Sequence, residues 1–199
     1  MIRTQQITRI ALFLALALAI QFMRFPQPIT GPAINAILFL TALILGPYAA
    51  LLIAVLTPGI ALLTGIISPP IAPLVPLIML ANAILVLVFG GAYRLVPIII
   101  EGLRPYISIK LRYNSCSFWL LLSSVGLASL TKFGFLLWTT QHLVKWLYQI
   151  GWLKITIPEN ALLAFQLPQL YTALAGGLLA IIIYRYLPEK LLTLHNSSE

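Results

Sequence analysis

The sequence predicts an all-α integral membrane protein, a single domain of six transmembrane helices with both termini in the cytoplasm. Three observations carry that reading. Of 199 residues, 61% are hydrophobic and 8% charged, with a mean hydropathy of +1.02. A water-soluble domain carries about 25% charged residues, so a soluble enzyme is excluded. The charges are also widely spaced: 14 uncharged residues separate Arg9 from Arg24, 69 separate Arg24 from Arg94, 19 separate Arg112 from Lys132, and 25 separate Glu159 from Arg185. A spanning helix needs about 20 apolar residues to cross about 30 Å of hydrocarbon, and in lipid a helix bonds every backbone amide within its own segment. Finally, the cations gather on alternate connections, as membrane insertion requires.

The elements follow in order. Helix 1 is placed near 7–25. Arg3 and Arg9 ahead of an apolar run also fit a secretory signal, but the run continues to Phe22 and nothing downstream reads as a soluble domain. The 69-residue stretch holds three helices, near 33–45, 47–67 and 74–96. Leu45-Gly46-Pro47 reads as a turn and Ser68-Pro69-Pro70-Ile71-Ala72-Pro73 as a break, because proline removes a donor and clashes with the preceding turn. Pro58-Gly59 is expected to kink the third helix. A competing division joins 34–56 into one kinked helix and makes the next segment re-entrant. Helices 5 and 6 are placed near 115–138 and 161–187. Between helices 4 and 5, residues 98–113 alternate apolar side chains with Glu101, Arg104, Lys110 and Arg112, the pattern of a surface segment bound at headgroups.

Orientation follows from the cations. With the N-terminus inside, the cytoplasmic segments hold Arg3, Arg9, Arg94, Arg104, Lys110, Arg112, Arg185 and Lys190, against Arg24, Lys145 and Lys154 outside. Trp138, Trp146, Trp152, Tyr148 and Phe165 gather at the external end of the last hairpin, as an interfacial aromatic belt does. The net charge of +8 then points to anionic lipid headgroups rather than to nucleic acid.

Several chemistries lack their residues. There is no phosphate-binding GxxxxGK[ST] loop. The two histidines, His142 and His195, are far apart, and Cys116 stands alone, so no disulfide framework, metal centre or haem is expected and no cofactor is implied. The chain has no Asp, and its four glutamates, at 101, 159, 189 and 199, fall outside the predicted spans. Proton-coupled carriers commonly keep an acidic group in the membrane. Ser123 and Ser124 have no partner base that periodicity can supply, so an enzyme is not expected.

The polar residues are biased to one side. Asn35, Asn82, Lys132, Gln166 and Gln169, with Thr64, all fall in the outer halves of their predicted helices, and Arg24 lies at the outer end of helix 1. Leaving such groups against lipid costs several kcal/mol in total, so their common depth describes an outward-facing polar pocket. Individually they have other uses: the amides can bond neighbouring helices, Lys132 can snorkel to the headgroups, and Arg24 can be interfacial. The stretches Phe25-Pro26-Gln27-Pro28-Ile29-Thr30-Gly31-Pro32 and Ser68-Pro69-Pro70-Ile71-Ala72-Pro73 fit either lids over that pocket, stiffened by proline, or tight connections. On helix 1, Ala11, Ala15 and Ala19 recur every four residues, a small stripe that admits another helix closely, whether within the bundle or from a partner.

The alanine stripe, the run Thr30-Gly31-Pro32-Ala33-Ile34-Asn35-Ala36 leading into Leu45-Gly46-Pro47, and Pro73-Leu74-Val75-Pro76-Leu77-Ile78-Met79-Leu80-Ala81-Asn82 resemble the substrate-binding S components of energy-coupling factor (ECF) transporters, over nearly the whole chain. The resemblance implies a vitamin- or micronutrient-binding subunit in a prokaryotic cell membrane, docking on a transmembrane coupling protein driven by two cytoplasmic ATPases. It makes Ala11, Ala15 and Ala19 docking residues and Arg24, Asn35, Asn82, Lys132, Gln166 and Gln169 substrate-binding residues. Lys132 and Arg24 favour a carboxylate or phosphate on the ligand. The competing reading is a non-transporting structural or assembly subunit of a larger membrane complex, and a self-sufficient carrier comes third.

Overall fold

A computed structural model describes residues 4–67, 71–103, 113–151 and 159–187, with side chains at 4–67, 71–95, 118–151 and 167–187. Among them every regular element is helical: α1 (Thr4–Phe22), α2 (Gln27–Ile44), α3 (Pro47–Leu63), α4 (Val75–Leu103), α5 (Tyr113–Trp138), α6 (Val144–Gln149) and α7 (Glu159–Tyr186). A 3-10 turn, Ala72–Leu74, leads into α4, and a π-helical turn, Thr139–Leu143, joins α5 to α6. Five segments are long and apolar enough to cross a bilayer: Thr4–Phe22, Gln27–Ile44, Ala72–Leu95, Phe118–Gln149 and Leu167–Tyr186. Pro47–Leu63 is a shorter apolar helix of 17 residues.

The largest departure from the sequence reading is at α2. It begins at Gln27 rather than near 33, so most of the proline-rich stretch after Phe25 is helix and not a loop. Pro26 is the N-cap and Pro28 sits in the first turn, where a missing N–H removes no helical bond and a fixed φ suits the helix. Pro32 lies further in, at the cost of one such bond. At the other end the reading from sequence matches: α2 stops at Ile44, Gly46 takes a φ of 91°, and Pro47 opens α3. A side chain at Gly46 would be strained by that φ, which explains why this turn divides the two helices and why 34–56 is not one helix. α3 ends at Leu63 instead of near 67, and contains Pro58. α4 runs to Leu103, past the expected end near 96 and into the segment read as interfacial. Residues 68–70, 104–112 and 152–158 lie outside the described residues.

α2 is the central helix. Every residue from Ile34 to Ala42 is buried, the signature of a helix surrounded by neighbours rather than lying at a lipid-facing edge. It packs against α7, α3, α1 and α4, most extensively against α7. That contact depends on small residues. A Cβ on Gly176 would meet Pro32 O at 2.6 Å, Asn35 Cβ at 2.7 Å and Ala36 N at 2.9 Å, and one on Gly31 would meet Thr172 Cγ2 at 2.6 Å. Gly177 gives Val125 of α5 the same close approach. Helices in lipid have no hydrophobic drive to associate, so close backbone approach supplies much of their cohesion. Below this contact Phe39 meets Phe89 edge to face, with centroids 4.8 Å apart and planes at 74°. Buried Thr41, Thr57 and Thr140 return their hydroxyls to the carbonyl four residues earlier at 2.7 Å, which satisfies these three donors within their own helices.

α1 is peripheral. Ala17 is its one buried residue among those described, with Phe13, Leu14 and Ile20 partly buried on the same flank. Ala11, Ala15 and Ala19 are exposed, as are Leu12 and Leu16 at 67% and 50%. The alanine stripe is therefore not used for packing inside the bundle.

Gly176→Ala is expected to lower stability by about 1–3 kcal/mol, because two of its nearest obstacles are backbone atoms of α2. Gly126→Ala, with nothing within 4 Å of the new methyl, is expected to gain about 0.5–1 kcal/mol from helix propensity. Unfolding of both variants in the same detergent checks the pair; equal effects would contradict the close α2–α7 contact.

Candidate functional site

One cavity is lined by residues from the C-terminal parts of α1, α3 and α5 and the N-terminal parts of α2, α4 and α7, so these lie at one end of the bundle. Its volume is about 660 Å³. Its polar residues come from six helices at similar depths. At a rise of 1.5 Å per residue, Thr57 stands about 9 Å from the end of α3, and Lys132 about 9 Å before the π-helical turn that carries α5 into α6. Asn82 stands about 10 Å into α4, Asn35 about 12 Å into α2 and Gln169 about 15 Å into α7. Together these five form the floor. Gln21, Arg24, Phe25, Gln27 and Thr30 form the rim on the α1–α2 side. Pro58, Ala61, Ile66, Ile67, Ile71 and Ile78 give an apolar wall from α3, the following connection and α4.

The floor is organised around Asn35. Lys132 Nζ donates to Asn35 Oδ1 at 3.0 Å, and Asn35 Nδ2 donates to Gly31 O at 2.9 Å and to Thr172 Oγ1 at 3.5 Å. Thr172 Oγ1 donates in turn to Gln169 O at 3.3 Å. One amide thus joins α5, α2 and α7, and Gly31 serves twice, as acceptor and as the gap that admits Thr172. Lys132 is 2% exposed. It points into the bundle, so it does not snorkel to headgroups. Burying an ammonium in a bundle is expensive unless an acceptor or counter-charge meets it, and the acceptor recorded for it is a neutral amide oxygen.

Arg24 sits differently. It closes α1 in the left-handed conformation, φ 51°, the one such non-glycine among the described residues, at the position where glycine usually ends a helix. A side chain there costs of order 1 kcal/mol or more, and such strain concentrates at functional edges. The result is an exposed guanidinium on the cavity rim.

Of the residues singled out in the sequence, Arg24, Asn35, Asn82, Lys132 and Gln169 all line this one cavity; the side chain of Gln166 lies outside the described residues. Thr64 is exposed and returns its hydroxyl to Ile60 O, away from the cavity. Gln21, Gln27, Thr30 and Thr57 also line it and were not anticipated. Gln21 carries a buried Oε1 without a donor. Its position at i−3 from Arg24, on the same turn, was the available signal. Nothing in the sequence distinguishes Thr57 from the other threonines of the apolar stretch. Among the described residues no three His, Cys, Asp or Glu side chains gather to hold a metal ion.

Asn35→Ala is expected to destabilise by about 1–3 kcal/mol, since it strands the Lys132 ammonium. In Asn35→Ala/Lys132→Met the loss is expected to be largely recovered, because both partners are then gone. A double-mutant cycle on unfolding midpoints checks the coupling; additive losses would contradict it.

Comparison of the chain with protein-family models, with curated proteins and with solved structures finds no match in any of the three.

Proposed function

We propose that the chain is a substrate-capture subunit, the S component of an ECF-type importer. In this reading it spans a prokaryotic plasma membrane six times with both termini inside, and binds a vitamin-like solute at the outer face. It releases that solute through a coupling protein driven by cytoplasmic ATPases. The single observation that carries the reading is the cavity: amides and a buried ammonium from separate helices converge at one end of an apolar bundle, beside an apolar wall. Pockets that capture small molecules have this make-up, a mostly apolar lining with a few convergent polar groups, and about 300–1,000 Å³ of space. The chain offers no phosphate loop, so its transport work needs a separate energy source.

The exposed alanines supply a place for that source. Ala11, Ala15 and Ala19 stand on a helix that buries almost nothing against its own bundle. A smooth small-residue face lets a second membrane helix approach closely, and these three residues are the docking face in this reading. The six spans place α3, at 17 residues, among the crossings, within the range that bilayers accept.

The test is recovery from the native membrane. A tagged chain is expected to bring down a membrane coupling protein and two ATPases, and mass spectrometry of the purified chain to find a retained small molecule. Ala15→Trp is expected to cut ATPase recovery at least tenfold and leave the small molecule in place. Recovery with non-ATPase subunits and no small molecule would replace this reading with a structural subunit.

A further inference from the structure

Lys132 poses a charge problem that the described residues do not solve. Its side chain is buried, at 2% exposure. Its recorded contact is a neutral oxygen, Asn35 Oδ1, at 3.0 Å. The sequence has no Asp, and among the described side chains that line the cavity none is a carboxylate. Removing an ammonium from water without a counter-charge is among the costlier arrangements in a membrane protein. Methionine would fill the same space without that cost. Asn35 occupies one of the three ammonium donors, and Lys132 lines the cavity together with Asn82 and Gln169.

We infer that the cavity takes an amphiphilic monocarboxylate, its carboxylate seated on Lys132 at the floor and its apolar body against Pro58, Ala61, Ile66 and Ile78. This deepens the capture reading and rests on it. One anionic charge cancels one ammonium, leaving the floor neutral. A phosphate monoester carries about −1.5 to −2 charges at pH 7 and would leave excess negative charge at that depth. Arg24 stands at the exposed rim, where a second cation speeds the arrival of anions without adding to the buried charge. Gln21 Oε1, buried without a donor on the same rim, accepts a hydroxyl or N–H at the far end of the solute. The occupant is thus oriented: carboxylate inward, hydrogen-bond donor outward.

The experiment has two arms on the full chain in detergent. In the first, the molecule released from the wild-type protein is identified by mass spectrometry, and its binding to Lys132→Met and Lys132→Arg is titrated. The expected species carries one carboxylate, binds Lys132→Met at least 100-fold more weakly, and partly recovers on Lys132→Arg. A retained neutral, cationic or phosphorylated molecule overturns the inference and leaves the capture reading standing. A long-chain fatty acid supports the charge pairing and overturns capture from solution. In the second arm, 4-phenylbutyrate, 4-phenylbutyramide and phenethyl phosphate are compared by thermal unfolding, since a compound that binds only the folded state raises the midpoint. The carboxylate is expected to raise it by a few degrees, and the amide and phosphate not to. Equal effects of acid and amide, or no effect of the acid, overturn the inference even if nothing co-purifies. The unliganded Lys132→Met protein separates a binding role from a structural one. Its midpoint is expected to lie within a few degrees of the wild type, because loss of the buried charge offsets loss of the donor to Asn35 Oδ1; a larger drop would make Lys132 a structural residue and overturn the inference.

Discussion

The hydrogen bond from Lys132 to Asn35 depends on how closely α2 lies against α7. Asn35 faces the α7 backbone at a separation that only a hydrogen at Gly176 allows. From there its amide reaches Gly31 O, Thr172 Oγ1 and the Lys132 ammonium at once. In water such contacts would compete with solvent and count for little; inside a bundle the alternative is a bare polar group, so the same bonds hold three helices in register. Widening the α2–α7 gap by the width of one methyl group would move the Asn35 amide relative to α5 and separate it from the ammonium. The geometry of the cavity floor is therefore set in part by Gly176, which does not itself line the cavity.

Around that junction the bundle divides its labour by composition. α2 is surrounded and apolar on all sides. α1 is exposed along most of its length and carries Arg24 in a strained conformation at its end. Thr41, Thr57 and Thr140 close their hydroxyls on their own helices. The side chains that remain open toward the cavity are amides and cations, which either donate or accept at fixed places. A chain with few polar residues thus gathers several of them at one cavity.

Much of this was legible in the sequence because depth along a helix is a counting problem. Residues such as Asn35, Asn82, Lys132 and Gln169 lie at similar distances from turns that charges and prolines mark, and the cavity collects those residues. What counting cannot supply is rotation about the helix axis. Lys132 can snorkel outward or point inward from the same position in the chain, and only packing against α2 decides between them. The start of α2 was misread for a related reason: prolines at 26 and 28 look like breakers, yet at an N-cap and in a first turn they are compatible with helix. Gln21 was hidden at the end of an apolar run, and Thr57 looked like any other threonine in one. Their value comes from facing the same space as residues far away in sequence.

The glycine contacts also limit how the molecule can flex. With Gly31, Gly176 and Gly177 each seated against a specific neighbour, α2, α5 and α7 cannot slide past one another without collisions. They act as a fixed post. Any breathing that enlarges the entrance has to pivot on the opposite flank, where α1 swings from the short 23–26 link and the Gly65 bend, φ 68°, follows α3. A solute would then enter and leave through one yielding side while its seat stays still.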